Sequence, residues 1–391
     1  MKKKILISIV LLIFIGIVFQ SWRFWYVSTP PPFTKNDSLK VIEVNRLQDN
    51  PIIHHDMDAS LLEEVRQYGY VNINGPSMIK VPPWVKKPLG KFYLYFAHHK
   101  GDYIKLAYAD KPEGPWRIYP DGALHVKDSL FATTPPSSKK ITAIKGLWKR
   151  MTATEFWTLL RVGLSARKAS QEMKEKGMAV SGEEKPHIAS PDVYIDEEKQ
   201  EIRMYYHGLL DDAVQATRVA VSSDGIHFKS KKDVISAPYL RVFQYKGLYY
   251  GIAMPGLLYR SQDGLSGFEV RPRPLAGVNM RHPALLLKGE TLFVFWTKVG
   301  DAPESIVYSI MDLRSNDWKD WKLSEPLEVL RPDKQWEGGD LTVEPSLRTE
   351  ITVRTRQLRD PAVFHDHNKI YLLYSVAGEH AIAIAELKIK D

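Results

Sequence analysis

Asp360-Pro361-Ala362-Val363-Phe364 is one of five segments in which a proline leads from a small or polar residue into an apolar run. The other four begin at Gly75-Pro76, Ser190-Pro191, Ala237-Pro238 and His282-Pro283. A turn and two further β-type runs follow every one of them. Proline suits the first residue of a strand, where its missing N–H removes no ladder bond. The chain therefore repeats one unit of β-sheet five times.

The repeated unit contains three or four predicted strands. The second strand is expected at 92–97, 202–206, 249–253, 292–296 and 370–374, and the third at 104–108, 218–222, 256–261, 306–311 and 381–387. Turns at Asp224-Gly225 and Asp263-Gly264 return an aromatic side chain to the sheet and start an outer fourth strand. Such units arranged around a ring form a β-propeller, so we predict an all-β fold with five blades over 39–391. The fifth unit has room for three strands only, and a strand near 40–44 is expected to close the ring.

Two of the spacings between the prolines are long and indicate insertions. The insertion between blades 1 and 2, over 128–187, has the apolar periodicity of a helix and is predicted to be mainly helical. Its segment 139–176 carries ten basic and three acidic residues, which is typical of a helix on an anionic membrane surface. A solvated cap packed on the propeller is the alternative. The other insertion precedes blade 5 and includes Trp336 to Pro345.

The first 27 residues have the pattern of a membrane anchor. Three lysines precede an apolar run from Ile5 to Phe19, and aromatic residues follow it before Pro30. A helix over 5–27 is about 34 Å long, enough to span a bilayer core. We predict an uncleaved transmembrane signal anchor over a cleaved signal peptide, because no small-x-small cleavage site follows the run. The lysines are expected to stay in the cytoplasm, which places the propeller on the extracytoplasmic (periplasmic or extracellular) side. A linker over 28–38 is expected to join the anchor to the propeller.

Composition excludes several classes of protein. The 391 residues include no cysteine, which rules out disulfides, a thiolate nucleophile and cysteine-based metal sites. The net charge of +8 is concentrated in the N-terminal lysines and in 139–176, so the propeller is not expected to bind nucleic acid. Neither a phosphate-binding loop nor a zinc helix occurs, and we expect no cofactor or metal. His54-His55-Asp56-Met57-Asp58 could supply metal ligands but is interpreted as an exposed polar loop.

The starts of the inner strands converge at one mouth of a propeller channel, so residues far apart in the chain meet there. Two of the five blades offer a carboxylate at this position, Asp192 and Asp360. Two carboxylates are what glycoside hydrolysis needs, one to protonate the leaving oxygen and one to activate water or attack. Glu344, on the insertion before blade 5, is a third candidate and is predicted to be the acid. The predicted sugar-binding residues belong to the same mouth: Arg359, Arg281, His282, Tyr239, Ser77 and His99.

These features resemble the five-bladed propeller glycoside hydrolases of families 43, 62 and 32 over about residues 70–391. The resemblance rests on the proline-led inner strands, on the turns at 222–228 and 261–268, and on Arg359-Asp360-Pro361. It implies that Asp360 stabilises the transition state, that another aspartate acts as base or nucleophile, and that a glutamate is the acid. Blade 1 differs from the pattern, because Gly75 stands where an aspartate is expected.

The sequence therefore predicts a glycosidase that cleaves a glycosidic bond in an extracytoplasmic glycan, with the membrane as a second partner through 5–27 and 139–176. Two alternatives stay open. One is a non-catalytic glycan-binding or scaffold propeller, because propellers commonly serve as scaffolds. The other is a glycosyl transferase or phosphorylase, since transfer to a sugar or phosphate acceptor uses similar carboxylates.

Overall fold

The computed structural model describes residues 27, 29–35, 41–135, 151–175, 185–211 and 214–390. Their strands form five sheets of four main strands each. The first strand of each sheet contacts the first strands of both neighbouring sheets, so the five inner strands surround a channel. This arrangement confirms the predicted five-bladed propeller.

Each blade is an antiparallel sheet whose strands follow one another outward from the channel. Two short elements, β1 (Val41–Arg46) and β2 (Ile53–His54), precede the first blade. Blade 1 comprises β3 (Asn74–Lys80), β4 (Phe92–Ala97), β5 (Tyr103–Ala109) and β6 (Arg117–His125). Blade 2 comprises β7 (Ile188–Asp196), β8 (Glu201–Leu209), β9 (Gln215–Ser222) and β10 (Lys229–Ser230). Blade 3 comprises β11 (Arg241–Tyr245), β12 (Leu248–Ala253), β13 (Leu257–Ser261) and β14 (Glu269–Val270). Blade 4 comprises β15 (Met280–Lys288), β16 (Thr291–Lys298), β17 (Ile306–Asp312) and β18 (Leu327–Leu330).

Blade 5 closes the ring with a strand from the other end of the chain. It contains β19 (Arg359–Asp366), β20 (Lys369–Val376) and β21 (Ala381–Lys390), and its outermost strand is β1. β1 pairs with β21 in antiparallel register, with Val44 opposite Leu387. β2 also pairs with β21. The predicted closing strand near 40–44 is therefore confirmed.

Tyrosines on the second strands tie neighbouring blades together. The hydroxyl of Tyr95 on β4 donates to the carbonyl oxygen of Gly225 in blade 2, at 2.7 Å. The hydroxyl of Tyr205 on β8 donates in the same way to Gly264 in blade 3, at 2.8 Å. Both tyrosines are fully buried. The two Asp-Gly turns therefore serve as acceptors between blades in addition to connecting strands.

Two α-helices among the described residues lie outside the blades. The sequence pattern does not predict α1 (Ala59–Tyr68), which begins where the Oδ1 of Asp58 accepts a hydrogen bond from the backbone N–H of Ser60. The histidine-rich segment before it therefore ends in a helix cap, and His54 contacts Asp56. Across the described residues, no group of three or more His, Asp or Glu side chains is placed to hold a metal ion.

The second helix, α2 (Ala153–Glu175), lies in the insertion that was expected to be helical. Its Thr154 hydroxyl donates to the carbonyl oxygen of Pro272, and its Glu155 accepts from the hydroxyl of Tyr259 at 2.9 Å. Leu159 packs on the apolar cluster between blades 2 and 3. The helix is thus a cap packed on the propeller, which was one of the two alternatives. Contact of the basic segment with a membrane stays a prediction.

The predicted anchor over 1–27 lies outside the described residues apart from Val27. No helix among the residues that the structure describes is long and apolar enough to cross a membrane. Part of the predicted linker is described, and it runs along the outside of blades 3 and 4. Nε of Arg273 donates to the carbonyl oxygen of Thr29, and the backbone N–H of Thr34 donates to the carbonyl oxygen of Leu323, both at 3.0 Å.

A buried ion pair fixes the closing strand to the insertion before blade 5. Glu337 ends the 3₁₀ turn Gln335–Glu337 of this insertion, and two similar turns occur at Val126–Asp128 and Trp318–Asp320. Glu337 is fully buried, and its carboxylate accepts from the Arg46 guanidinium on β1, with Nε at 2.7 Å from Oε1. The hydroxyl of Tyr374 donates to the same oxygen at 3.1 Å.

Replacing Arg46 with methionine is expected to lower the free energy of unfolding by about 3–5 kcal/mol, because it leaves Glu337 as a buried charge without its cation. Urea unfolding of both proteins measures the difference. Arg66→Met is the matched control, since Arg66 pairs with Glu63 on the surface and both side chains are about 70% exposed; its expected cost is about 0.5 kcal/mol. Equal losses in the two variants would contradict the closing role of the Arg46–Glu337 pair.

Candidate functional site

One residue near the start of each inner strand has an unusual backbone conformation. Gly75, Ser190, Tyr239, His282 and Asp360 all have a left-handed backbone, with φ from 45° to 64°. In four of the blades a bulge interrupts the pairing of the inner strand at this point. We call the end of the channel where the inner strands begin the upper mouth. The five residues lie there, one from each blade.

Blade 3 departs from the predicted alignment. The sequence pattern predicts that its inner strand starts at Ala237-Pro238, whereas the left-handed residue is Tyr239 and the strand begins at Arg241. In the other blades the proline follows the left-handed residue, but in blade 3 it precedes that residue. The predicted start is therefore two residues early. Tyr239 itself lies at the upper mouth as expected.

Asp360 forms an ion pair with His282 across the boundary between blades 5 and 4. Its Oδ1 lies 2.7 Å from Nδ1 of His282, and both side chains are buried. Its Oδ2 is buried and has no hydrogen-bond partner among the described residues. Burial acts to raise the pKa of this carboxyl, but its contact with His282 and the positive charge of Arg359 outweigh burial and hold the pKa well below its usual value. Asp360 is therefore a carboxylate at neutral pH with one oxygen free.

Tyr239 lies between two imidazole rings at the centre of the upper mouth. Its ring centroid is 4.6 Å from that of His282 and 4.3 Å from that of His207. His207, on β8, is fully buried, and neither of its ring nitrogens has a hydrogen-bond partner in the described part of the chain. Burial lowers the pKa of His207 and raises the pKa of Tyr239, so both rings are neutral. Tyr239 and His207 thus form an uncharged aromatic surface beside the Asp360–His282 pair.

Arg281 and Arg359, both predicted to bind sugar, form buried ion pairs. Nε of Arg281 lies 3.2 Å from Oε1 of Glu304, and Nε of Arg359 lies 3.3 Å from Oε2 of the same carboxylate. Nη1 of Arg359 also lies 2.9 Å from Oε1 of Glu379. All four side chains are at most 5% exposed. This geometry favours a framework role for the two arginines over the predicted contact with a sugar.

Glu350 is a carboxylate at the upper mouth that the sequence analysis misses. It belongs to the insertion before blade 5 and is 4% exposed. Its Oε2 accepts a hydrogen bond from the Tyr70 hydroxyl at 3.3 Å, and its Oε1 is buried without a partner among the described residues. His99 lies nearby with 20% of its side chain exposed. Burial lowers the pKa of His99, and the negative charges of Glu379, Glu350 and Asp360 oppose that shift.

Asp192 and Ser77 lie deeper in the channel than the residues of the upper mouth. Both line a cavity of about 120 Å³ whose walls come from all five inner strands. Oδ2 of Asp192 accepts from the backbone N–H of Val242 at 2.8 Å, and its Oδ1 lies 3.4 Å from Nη1 of Arg241. Burial raises the pKa of Asp192, and Arg241 acts against the shift. Asp192 and Asp360 therefore occupy different levels of the channel and have different partners, so the structure does not assemble them as the predicted pair.

The insertion before blade 5 places its acids in three different environments. Glu344, the predicted acid, is exposed. Glu337 is buried in its pair with Arg46, as described above. Only Glu350 among them combines burial at the upper mouth with a free oxygen. Repeat patterns do not cover this insertion, so no sequence signal distinguishes its glutamates. Glu350 is distinguished from Glu337 and Glu344 only in the folded chain, by its burial and by the partners of its oxygens.

Comparison with known proteins gives one clear relative. The chain is 30% identical over 342 residues to Uncharacterized protein R118 of Acanthamoeba polyphaga mimivirus, covering 81% of this chain and 84% of that protein. No family model matches the chain. The two chains therefore share most of their length and one evolutionary origin.

Solved structures with the same architecture are more distant in sequence. A putative glycoside hydrolase from Parabacteroides distasonis has a TM-score of 0.52 and 11% identity, with 90% of this chain and 98% of that chain covered. A family 43 β-xylosidase/α-arabinofuranosidase from a compost microbial metagenome has a TM-score of 0.48 and 13% identity, with 88% and 94% covered. At this identity the first of these likenesses shows the fold. The predicted resemblance to the five-bladed propeller glycoside hydrolases is thus confirmed at the level of the fold.

Buried neutral histidines are expected to make the protein sensitive to mild acid. Burial lowers the pKa of His98 to about 2 and that of His187 to about 3. The unfolded chain takes up a proton on each ring near pH 6.5 while the folded chain does not, so stability falls as the pH drops below about 6.5. Between pH 6.5 and 5.5 each histidine should cost about 1 kcal/mol, measured by urea unfolding at a series of pH values.

The variant His98→Phe isolates this effect. Phenylalanine keeps an aromatic ring against Tyr68, whose centroid is 4.2 Å from that of His98. The free energy of unfolding of the variant should fall less steeply with acid than that of the natural protein, by the contribution of one histidine. An unchanged slope would show that His98 is already protonated in the folded chain.

Proposed function

The chain belongs to one protein family with Uncharacterized protein R118 of Acanthamoeba polyphaga mimivirus, and we propose that it is a glycoside hydrolase whose saccharide binds at the upper mouth. The fold shared with the putative glycoside hydrolase from Parabacteroides distasonis supports this class of activity. We further propose that the substrate is an extracytoplasmic glycan, on the basis of the predicted anchor over 1–27 and the linker that joins it to the propeller.

The free oxygen of Asp360 is the observation that carries the proposal. Four carboxylates lie at the upper mouth: Asp360, Glu304, Glu350 and Glu379. Glu304 and Glu379 are neutralised by Arg281 and Arg359 at 2.9–3.3 Å. Asp360 and Glu350 each keep one buried oxygen without a partner among the described residues. A carboxylate held ionised, with one oxygen not engaged by another side chain, is suited to act on a sugar ring.

The two available carboxylates suit different roles. Asp360 has a lowered pKa, so it is charged at neutral pH and fits the base, the nucleophile or the group that stabilises an oxocarbenium-like transition state. Glu350 is the proposed proton donor to the leaving oxygen. The Asp360–His282 pair orients the charged carboxylate, and the ring of Tyr239 limits the space beside it. Asp360 therefore keeps the catalytic role that the sequence predicts for it, and Glu350 is proposed as the second carboxylate in place of Asp192 and Glu344.

A non-catalytic glycan-binding propeller is the second candidate, and one observation favours it. Blade 1 offers no carboxylate at the upper mouth, because its left-handed position is Gly75. A Cβ at that position would lie 3.0 Å from the Cα of Ser190, so a side chain there would crowd blade 2. Binding of oligosaccharides without release of reducing ends would support this candidate.

The variant Asp360→Asn tests the hydrolase. We expect it to lower kcat/KM on a cleaved aryl glycoside by about 10²–10⁴-fold, the range in which a catalytic acid or base contributes, because the amide is neutral but nearly the same size. Circular dichroism and thermal unfolding check that the variant is folded. Activity is first sought by screening aryl furanosides and pyranosides of both anomeric configurations.

Three further variants locate the second carboxylate. Glu350→Gln should cause a comparable loss, whereas Asp192→Asn and Glu344→Gln, at the deeper cavity and on the surface, should keep most of the activity. A folded Asp360→Asn protein with full activity would remove Asp360 from the mechanism. Loss of activity in Asp192→Asn with none in Glu350→Gln would restore the pair that the sequence predicts.

A further inference from the structure

Arg348 is a buried cation without a carboxylate partner. The side chain is 8% exposed. Its Nη2 donates to the carbonyl oxygen of Val278, and its Nη1 lies 3.8 Å from the Sδ of Met254. Its Nε is buried and has no hydrogen-bond partner among the described residues. No ion pair within the described part of the chain includes Arg348, in contrast to Arg281 and Arg359.

The backbone on both sides of Arg348 is fixed to the upper mouth. Nη2 of Arg281 donates to the carbonyl oxygen of Leu347 at 2.6 Å, and Nη1 of Arg359 donates to that of Thr349 at 3.0 Å. The next residue, Glu350, is held by Tyr70. Arg348 and Glu350 therefore come from one short segment whose position the two framework arginines set. The charges of Arg281 and Glu304 and the phenol of Tyr239 act on Arg348, so its guanidinium lies close to the upper mouth.

The charges around Arg348 do not neutralise it. The carboxylate whose charge acts on it is Glu304, and the two oxygens of Glu304 already pair with Arg281 and Arg359. Burial and the positive charge of Arg281 lower the pKa of Arg348 to about 10, and Glu304 and Tyr239 act in the opposite direction. The group is therefore fully charged at neutral pH. A buried charge without a counter-ion is costly, and a ligand oxyanion would relieve that cost.

We propose that the saccharide bound at the upper mouth carries a carboxylate, as in a uronic acid residue, and that this carboxylate pairs with the guanidinium of Arg348. The inference rests on the proposed function, because it places the sugar beside Asp360 and Glu350. Guanidinium–carboxylate pairs are often bidentate and are stronger than neutral hydrogen bonds. Arg348 would then select acidic sugars, while Arg281 and Arg359 maintain the shape of the mouth.

Matched pairs of aryl glycosides test the selection. Each pair consists of a 4-nitrophenyl uronide and the 4-nitrophenyl glycoside of the corresponding neutral sugar, which differ only in a carboxylate or a hydroxymethyl group. We expect the full-length protein to prefer the uronide by about 10-fold or more in kcat/KM. In Arg348→Met this preference should disappear, mainly through a higher KM for the uronide. Arg348→Lys, which keeps the charge, should retain part of the preference.

The control is Arg356→Met, on the same insertion. Nε of Arg356 donates to the carbonyl oxygen of Pro332, and the side chain is only half-buried. This variant should leave the preference for uronides unchanged, so a general effect of losing an arginine from the insertion is separated from the effect at Arg348.

The outcomes separate this inference from the proposed function. Cleavage of neutral glycosides with no preference for uronides would overturn the role of Arg348 and leave the hydrolase in place. A second outcome is that calorimetry detects binding of free glucuronate or galacturonate, that Arg348→Met abolishes this binding, and that no glycoside is cleaved. This outcome would support the carboxylate-binding role of Arg348 and overturn the proposed hydrolase activity. Neither binding nor cleavage of any sugar of the panel would overturn both.

Discussion

Arg359 is the residue on which the upper mouth depends. It is fully buried in blade 5 and contacts Glu304 of blade 4 and Glu379 of its own blade. Glu379 in turn accepts a hydrogen bond from the side chain of Asn74 in blade 1 at 3.2 Å. Charges removed from water are tolerated only when partners of opposite sign and further hydrogen bonds surround them. One guanidinium thus joins the last blade to its neighbours on both sides, at the boundary where the propeller ring closes.

The same network decides which groups can do chemistry. Arg281 and Arg359 pair with Glu304 and Glu379, so the buried oxygens at the mouth that contact neither arginine belong to Asp360 and Glu350. Because these arginines also hold the backbone of the segment that carries Glu350, the distances among the reactive groups are set before a ligand arrives. Catalysis by fixed charges and dipoles requires this kind of preorganisation, since reorganising them during the reaction costs energy. The buried ion pairs and the candidate catalytic carboxylates therefore belong to one network. Arg281 and Arg359 act on the site by positioning the segment that carries Glu350.

Sequence periodicity predicts the blades well, because strands and turns depend on local alternation and on Pro, Asp and Gly at set places. The second strand of blade 1 occupies Phe92–Ala97 as predicted, and β1 completes blade 5. Asp192 shows where the reasoning stops. A shift of two residues along an inner strand moves a side chain from the mouth into the deeper cavity, and a repeat pattern cannot resolve it. Arg348 and Glu350 lie in an insertion without any repeat, so only the folded chain brings them to the site.

Backbone strain at the upper mouth gives an independent reason to place function there. Ser190, Tyr239, His282 and Asp360 adopt a left-handed conformation, and none of them is glycine. Such a conformation costs on the order of 1–3 kcal/mol for a non-glycine residue and persists only where the surroundings impose it. A fold that needed only the turn could use glycine in every blade, as it does at Gly75, where blade 2 leaves no room for a side chain. The strained residues instead carry a carboxylate, an imidazole, a phenol and a hydroxyl, which are groups that serve binding and proton transfer.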